Sequence, residues 1–225
     1  PQDAEAHNNL GITLKELGRL EESEASLRQA ITLKSDFIEA HSNLGVTLQE
    51  LGRFEEAEAS LRQAIALKPN YAEAHYNLGG MLQELGRLEE SETSYRQAIA
   101  LKSDYAEAHY NLSNALKELG RLEEAEASLR QAIAMKYDYA EAHNNLGGML
   151  QELGRLEEAE ANWRQAIALK TDFAEAHFNL GNTLLELDRL EEAEASLRQA
   201  IALKPDYAEA YSNLGITLQE LGRLE

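Results

Sequence analysis

The stretch AEAHNNLGITLKELGRLEESEASLRQAITLKSDF, residues 4–37, recurs with few changes every 34 residues along the chain. Its first phrase, AEAHNNLG, returns letter for letter at residues 140–147. A fixed period of this length indicates an array of repeated supersecondary units. We therefore expect residues 1–225 to form one array, a segment of a longer one, with full repeats at 4–37, 38–71, 72–105, 106–139, 140–173 and 174–207 and a half repeat at 208–225.

Apolar side chains within each unit recur at helical spacing. In the first unit Leu10, Leu14 and Leu17 are followed, after a break, by Leu27 and Ile31. Steps of three and four residues predict two amphipathic helices. A residue suited to a left-handed C-cap follows each first helix. These residues are Gly18, Gly52, Gly86, Gly120, Gly154, Asp188 and Gly222.

The start of each first helix is predicted from a pair of polar residues. Asp36 stands three residues before Glu39, the spacing of a capping box in which side chains satisfy the unpaired N–H groups of the first turn. Later units keep this pair, with Asn70 once in place of the aspartate. On the second helix, Glu24 and Arg28 have the i,i+4 spacing of an ion pair, and this spacing also recurs.

The Asn-Leu-Gly phrase, the Glu-Leu-Gly-Arg-Leu-Glu-Glu turn and the small residues where the helices cross resemble the tetratricopeptide repeat. The resemblance covers the whole chain. It is strongest to the long superhelical arrays of cyanobacteria and other bacteria, and to the substrate-recruiting region of O-linked N-acetylglucosamine transferase. It implies an all-α, right-handed superhelical solenoid of antiparallel helix pairs. The chain departs from the family by placing His7 and its repeats where an aromatic residue is usual.

One polar stripe is predicted along every first helix. At about 100° per residue, Glu141, Asn145 and Glu152 fall on one side, and Leu146 and Leu150 fall on the other. In stacked helix pairs the first helices line the concave wall, which solenoids commonly use for binding. The candidate peptide-binding residues on this stripe are Asn9, Asn43, Asn77, Asn111, Asn145, Asn179 and Asn213, with Glu50, Glu84, Glu118 and Glu152.

An amide both donates and accepts hydrogen bonds, so a row of asparagines suits an extended peptide backbone whatever its side chains. In the transferase array a comparable row holds peptide main chain, and the resemblance implies the same role here. The alternative is that each asparagine bonds to a neighbouring loop or meets water. Glu50 and its repeats have no local partner except the arginine three residues on, here Arg53. They would make the groove acidic and favour basic segments.

Residues beside the stripe differ between units and are candidates for specificity. Tyr76, Tyr110 and Phe178 each precede an asparagine, and either anchor ligand side chains or contact the next helix pair. The position three residues after each asparagine is expected to set the depth of the groove. It is occupied by Ile12, Val46, Gly80, Asn114, Gly148, Asn182 and Ile216.

The composition argues against several classes of function. With 40 acidic and 21 basic residues the net charge is −19, which disfavours a nucleic-acid partner. No apolar run approaches the ~20 residues that span a bilayer, so we expect a soluble protein without a membrane partner, cytoplasmic in the simplest interpretation. Cysteine is absent, and the six histidines fall on the packed side, too far apart to share a metal. We predict no cofactor, no metal and no enzymatic activity.

The sequence predicts a protein–protein interaction scaffold that binds an extended, basic peptide segment in an acidic, asparagine-lined groove. Two alternatives stay open: the array is the recruiting arm of a larger transferase, or it is an architectural array that assembles without a ligand. The chain stops after one helix of a repeat, and this last helix is expected to expose Leu214, Leu218 and Leu221. We therefore also predict end-to-end self-association through it.

Overall fold

The computed structural model describes residues 3–223, and these form thirteen α-helices without strands, an all-α helical-repeat solenoid. The chain divides after Gly120 into two compact units. In each unit the helices follow one another through short turns. The first unit contains α1 (Ala4–Glu16), α2 (Leu20–Leu33), α3 (Ile38–Glu50), α4 (Phe54–Leu67), α5 (Ala72–Glu84), α6 (Leu88–Leu101) and α7 (Ala106–Glu118). The second contains α8 (Leu122–Met135), α9 (Ala140–Glu152), α10 (Leu156–Leu169), α11 (Ala174–Glu186), α12 (Leu190–Leu203) and α13 (Ala208–Glu220).

The turn after each first helix has the predicted left-handed residue. Gly52, for example, has φ of +73°, and its N–H donates to the carbonyl of Gln49 at 2.8 Å. Asp188 adopts the same conformation with φ of +58°, although its Cβ makes this conformation unfavourable. The predicted C-caps are therefore confirmed at Gly18, Gly52, Gly86, Gly120, Gly154, Asp188 and Gly222.

The predicted capping box is wrong. Helix α3 begins one residue later than that pattern requires, with Phe37 at the N-cap and no side-chain hydrogen bond to the first turn. The Phe37 side chain is buried, and the Lys34 ammonium lies 4.9 Å from its ring centroid. Burying an aromatic side chain is worth about 2–3 kcal/mol, more than the ~1 kcal/mol of a polar cap, so packing determines where the helix starts. Asp3 at the start of α1 is a side-chain cap, accepting from the N–H of Glu5 at 3.0 Å.

The glycine of the Asn-Leu-Gly phrase allows close contact between the two helices of a repeat. A Cβ placed on Gly45 would lie 2.5 Å from Cγ of Leu61, and one on Gly147 would lie 2.7 Å from Nε1 of Trp163. Both partner side chains are fully buried. A Cβ on Gly45 or Gly147 would therefore displace the core, whereas α7 accommodates Ser113, fully buried, at the equivalent place.

A ladder of ion pairs joins neighbouring second helices. Arg53 contacts Glu56 at 2.6 Å and Glu24 of the preceding second helix at 2.7 Å. Arg28 contacts Glu24 at 2.8 Å and Glu56 at 2.9 Å. The predicted Glu24–Arg28 pair is confirmed. The predicted pairing of Glu50 with Arg53 is wrong, because this arginine turns towards the second helices. Equivalent sets are Glu58, Arg62, Arg87 and Glu90, then Glu126, Arg130, Arg155 and Glu158, then Glu160, Arg164, Arg189 and Glu192.

The last helix exposes less leucine than predicted. Leu214 is buried, because α13 packs against α12, whereas Leu218 and Leu221 are half-buried. The large apolar side chains exposed on α13 are instead Tyr211 and Ile216. None of the helices within residues 3–223 has the length and apolar character needed to cross a membrane.

Candidate peptide-binding face

The predicted stripe is found on one side of the first helices, and we call it the ladder face. It consists of the asparagines at position 9 and its repeats and the two flanking glutamate rows that begin at Glu5 and Glu16. The glutamates of the second row are exposed on α3, α5, α7 and α9. The asparagines are half-buried from Asn43 onward, and Asn9 is exposed.

Five ladder asparagines donate to a side chain of the preceding first helix, and none of these five bonds goes to a loop. In the first unit the Nδ2 groups of Asn43 and Asn77 donate to Asn8 Oδ1 at 2.9 Å and Ser42 Oγ at 3.2 Å. Asn111 donates to the hydroxyl of Tyr76 at 2.9 Å. The acceptor is the residue that precedes the asparagine of the previous repeat. The variable position beside the stripe therefore orients the next asparagine.

The second unit uses the same arrangement with one variation. Asn179 donates to Asn144 Oδ1 at 3.2 Å, as in the first unit. Asn213 instead donates to Asn182 Oδ1 at 2.7 Å, and Asn182 occupies the position expected to set groove depth. In these residues the partner is a side chain of the preceding first helix and not the neighbouring loop that the sequence alternative named. Each of these bonds uses one N–H of an amide that also has a second N–H and a carbonyl oxygen.

Glutamates of the second row contact the first helix of the preceding repeat. The contacted residue stands immediately before that repeat's own glutamate of the row. Glu50 is 3.5 Å from the Lys15 ammonium, so its charge is partly compensated. Glu118 instead accepts from the neutral side-chain amide of Gln83 at 2.7 Å, and Glu186 accepts from that of Gln151. A glutamate of this row therefore keeps its full negative charge where its partner is glutamine, and is partly neutralised where its partner is lysine.

Two aromatic residues beside the ladder contact the N-cap residue of the next first helix. The ring of Tyr76 lies 4.9 Å from that of Tyr105, and the ring of Phe178 lies 4.7 Å from that of Tyr207, both centroid to centroid. Tyr105 and Tyr207 are the N-cap residues of α7 and α13. The alternative that these aromatics contact the next helix pair is confirmed for Tyr76 and Phe178. Both remain half-buried, as does Tyr110.

An open cleft of about 400 Å³ lies on the ladder face of the first unit, between α5 and α7. It is lined by Gly80, Gln83, Glu84, Tyr95, Asn111 and Glu118. Asn111, Glu84 and Glu118 are among the binding residues predicted from the sequence, whereas Gln83 and Tyr95 are not. The sequence feature that could have indicated these two residues is a second glycine, Gly80, in the same repeat as Tyr95.

The histidines lie away from the ladder face. His41 and His75 place Nε2 3.0 Å from the carbonyls of Ser35 and Pro69, in the turn before their own helix. His75 and His177 each line a crevice between consecutive second helices, of about 430 and 330 Å³. Burial lowers the pKa of His177 and so favours the neutral ring. Among residues 3–223 no three histidine, aspartate or glutamate side chains come together as a metal site would require.

Models of two repeat families match the sequence. One, described as TPR repeat, matches residues 13–52, 149–188 and 181–222. The other, described as Tetratricopeptide repeat, matches residues 43–106, 82–134 and 110–167. Each set covers more than half of the chain. No curated protein matches the sequence at a significant level.

Solved structures have the same fold at low sequence identity. PilF from Pseudomonas aeruginosa is 18% identical, with a TM-score of 0.83 over 96% of this chain and 97% of that chain. YrrB, described as a TPR protein with an unusual peptide-binding site, is 23% identical, with a TM-score of 0.69 over 83% of this chain and 96% of that chain. MamA is also 23% identical, with a TM-score of 0.69 over 74% and 97%. With its 34-residue helix pairs and left-handed turn residues, the chain belongs to the tetratricopeptide repeat family.

Proposed function

We propose that this chain is a protein–protein interaction scaffold that binds an extended segment of a partner along the ladder face. The observation that supports this most directly is the fixed orientation of the ladder amides. Asn43, Asn77 and Asn111 are each held by a side chain of the preceding repeat. An amide that is already ordered loses less conformational entropy when it binds a ligand.

The chemistry of these amides matches a peptide backbone. After the bond to the preceding repeat, each amide retains one N–H donor and a carbonyl acceptor, and an extended peptide presents C=O and N–H groups at regular intervals. Main-chain recognition of this kind tolerates many side chains. The ladder therefore supplies affinity, and the residues beside it supply selectivity.

The distribution of charge favours a basic segment. In residues 38–71 the turn and second helix balance Glu55, Glu56 and Glu58 against Arg53, Arg62 and Lys68. The first helix of the same repeat has Glu39 and Glu50 and no lysine or arginine. The excess negative charge of this repeat is thus on the ladder face, where Lys15 of the preceding repeat compensates Glu50 only in part. This excess would attract a cationic partner and raise the association rate.

The relatives in structure are compatible with this function. YrrB is described as having a peptide-binding site, and the Cut9–Hcn1 hetero-tetramer contains a similar array with a TM-score of 0.79. Tetratricopeptide repeats are generally non-catalytic scaffolds. The transferase-arm alternative stays a prediction of the sequence.

The test is selection of binders from an unbiased peptide-display library. The protein is compared with an Asn77→Ala, Asn111→Ala double variant, and with Asn162→Ala as the matched control. Asn162 lies on a second helix, where its amide donates to the carbonyl of Glu158 at 2.9 Å. Far-UV circular dichroism verifies that helix content is unchanged in each variant.

We expect enrichment of extended, basic peptides on the protein and on Asn162→Ala, and loss of this enrichment on the double variant. If the protein enriches no peptide, or if the double variant enriches the same peptides equally, the ladder has only the structural role seen between repeats. The third alternative, assembly without a ligand, would then become the better account.

A further inference from the structure

We propose that the cleft between α5 and α7 is a subsite that receives the guanidinium group of an arginine in the bound segment. The inference rests on the proposed peptide-binding function and assigns one of its selective contacts. It follows from the shape of the cleft, from the groups that line it and from a difference between this repeat and its neighbours.

The shape is created by two adjacent glycines. The ring of Tyr95 fills the space left by Gly79, since a Cβ there would lie 2.8 Å from the ring atom Cδ1. The hydroxyl of Tyr95 then reaches the ladder face, where a Cβ on Gly80 would lie 3.5 Å from it. The adjacent first helices of this unit have Val46 and Asn114 at the position of Gly80, and their side chains would occupy the same space. The opening is thus specific to this repeat within the unit.

The groups around the opening are mainly hydrogen-bond acceptors. Glu84 and Glu118 are exposed at the two sides, on α5 and α7. The Tyr95 hydroxyl donates to Gln83 Oε1 at 3.3 Å, which leaves the hydroxyl lone pairs as acceptors. The Nδ2 group of Asn111 bonds to Tyr76, so its carbonyl oxygen is also an acceptor. A ligand that fits needs several N–H donors and a positive charge.

The charge of the cleft is not compensated within the protein. Over residues 3–223 neither Glu84 nor Glu118 forms an ion pair. In the first repeat Lys15 supplies an ammonium to Glu50, but the equivalent residue beside Glu118 is the neutral Gln83. The repeat with the opening therefore also lacks the internal cation. An external cation would take that place.

Arginine fits these acceptors better than lysine. Its guanidinium is planar and has five N–H donors, so it can bond to carboxylates on two sides and to the floor together. An ammonium is a compact charge with three donors and would leave part of the cleft unfilled. Since the cleft is open to the ladder face, the arginine can enter while its backbone stays on the asparagines.

The experiment uses an arginine-containing peptide from the selection. For each of its arginines three synthetic forms are compared: one that keeps the arginine, one with lysine there, and one with the neutral isostere citrulline. Binding is measured on the protein, on Gly80→Val, on Glu118→Gln and on the matched control Glu89→Gln. Valine is the residue that α3 has at this position. Glu89→Gln removes the same charge from an exposed position on α6, away from the ladder face.

For one arginine we expect citrulline to weaken binding to the protein and to Glu89→Gln about tenfold, as the loss of charge-assisted hydrogen bonds implies. On Gly80→Val and Glu118→Gln this preference should largely disappear. An equal preference on the protein and on Gly80→Val would overturn the subsite, and equal binding of lysine and arginine would overturn its assignment to guanidinium.

The proposed function and the subsite can fail separately. If no peptide is selected, the peptide-binding function fails, and the cleft is tested directly by NMR titration with N-acetylarginine amide and N-acetylcitrulline amide. We expect the arginine compound alone to shift the backbone amide of Gly80 and the side-chain amide of Gln83. Shifts with both compounds, or with neither, would overturn the subsite.

Discussion

Alanine at each glycine of the Gly147–Gly148 pair should have opposite effects on stability. The two residues are adjacent in α9, so alanine at either one gains about 1 kcal/mol of helix propensity. A Cβ on Gly148 meets no atom within 4 Å, so Gly148→Ala should stabilise the protein by about this amount. A Cβ on Gly147 would instead lie 2.7 Å from Cε2 and Nε1 of Trp163, whose side chain is fully buried.

The indole is fully buried, so overpacking at Gly147 should cost about 1–3 kcal/mol. The displacement also strains the 3.2 Å bond from Trp163 Nε1 to the carbonyl of Asn144, worth about 1 kcal/mol. After the gain in propensity, Gly147→Ala should destabilise the protein by about 1–3 kcal/mol.

The free energy of unfolding of both variants is measured by urea denaturation. Unfolding is monitored by far-UV circular dichroism and by the fluorescence of Trp163, the single tryptophan of the chain. The comparison has an internal control, because both substitutions add the same methyl group to the same helix. Equal stability of Gly147→Ala and Gly148→Ala would refute the argument that close contact requires glycine at this crossing.

Two further predictions concern the ion-pair ladder and the exposed apolar side chains at α1 and α13. Hydrogen bonding from Arg87 lowers the pKa of Glu58, more than burial raises it, so the pair stabilises the fold above the unfolded-state pKa of about 4.3 and is lost as the pH falls through the folded-state value. Glu58→Gln should therefore cost about 1 kcal/mol at neutral pH. Its difference from the unsubstituted protein in chemical denaturation should begin to close below that unfolded-state pKa and vanish below the lowered folded-state pKa; a difference independent of pH would contradict the pair. Leu17, the C-cap residue of α1, and Tyr211 on α13 are exposed and should support end-to-end association. Light scattering should then give a mass that rises with concentration and that Leu17→Glu reduces; a constant monomer mass would contradict it.

Much of the fold could be predicted from the sequence because it depends on local chemistry. The apolar spacing of Leu10, Leu14 and Leu17 is enough to predict a helix, and a positive φ at Gly52 follows from the need to reverse the chain there. The candidate site was predicted as a stripe because helical geometry alone places Asn145 and Glu152 on one side. The start of α3 was wrong because burial of Phe37, a packing effect, outweighed the local capping pattern at Asp36.

The sequence by itself determined the 34-residue period, the helix pairs, the turn residues and which side chains share the ladder face, since all of these depend on residues close together in the chain. Only the tertiary structure decided what those side chains bond to: Asn111 with Tyr76 of the previous repeat, Arg53 with Glu24, and Tyr95 beneath Gly80. These partners lie 15 to 35 residues apart in sequence, and their contact depends on the side-by-side placement of helices. A repeat pattern determines which side of each helix is turned towards its neighbours, but not how far one helix is shifted along the next. The orientation of the asparagines and the opening of the cleft are therefore decided only by the stacking of the repeats.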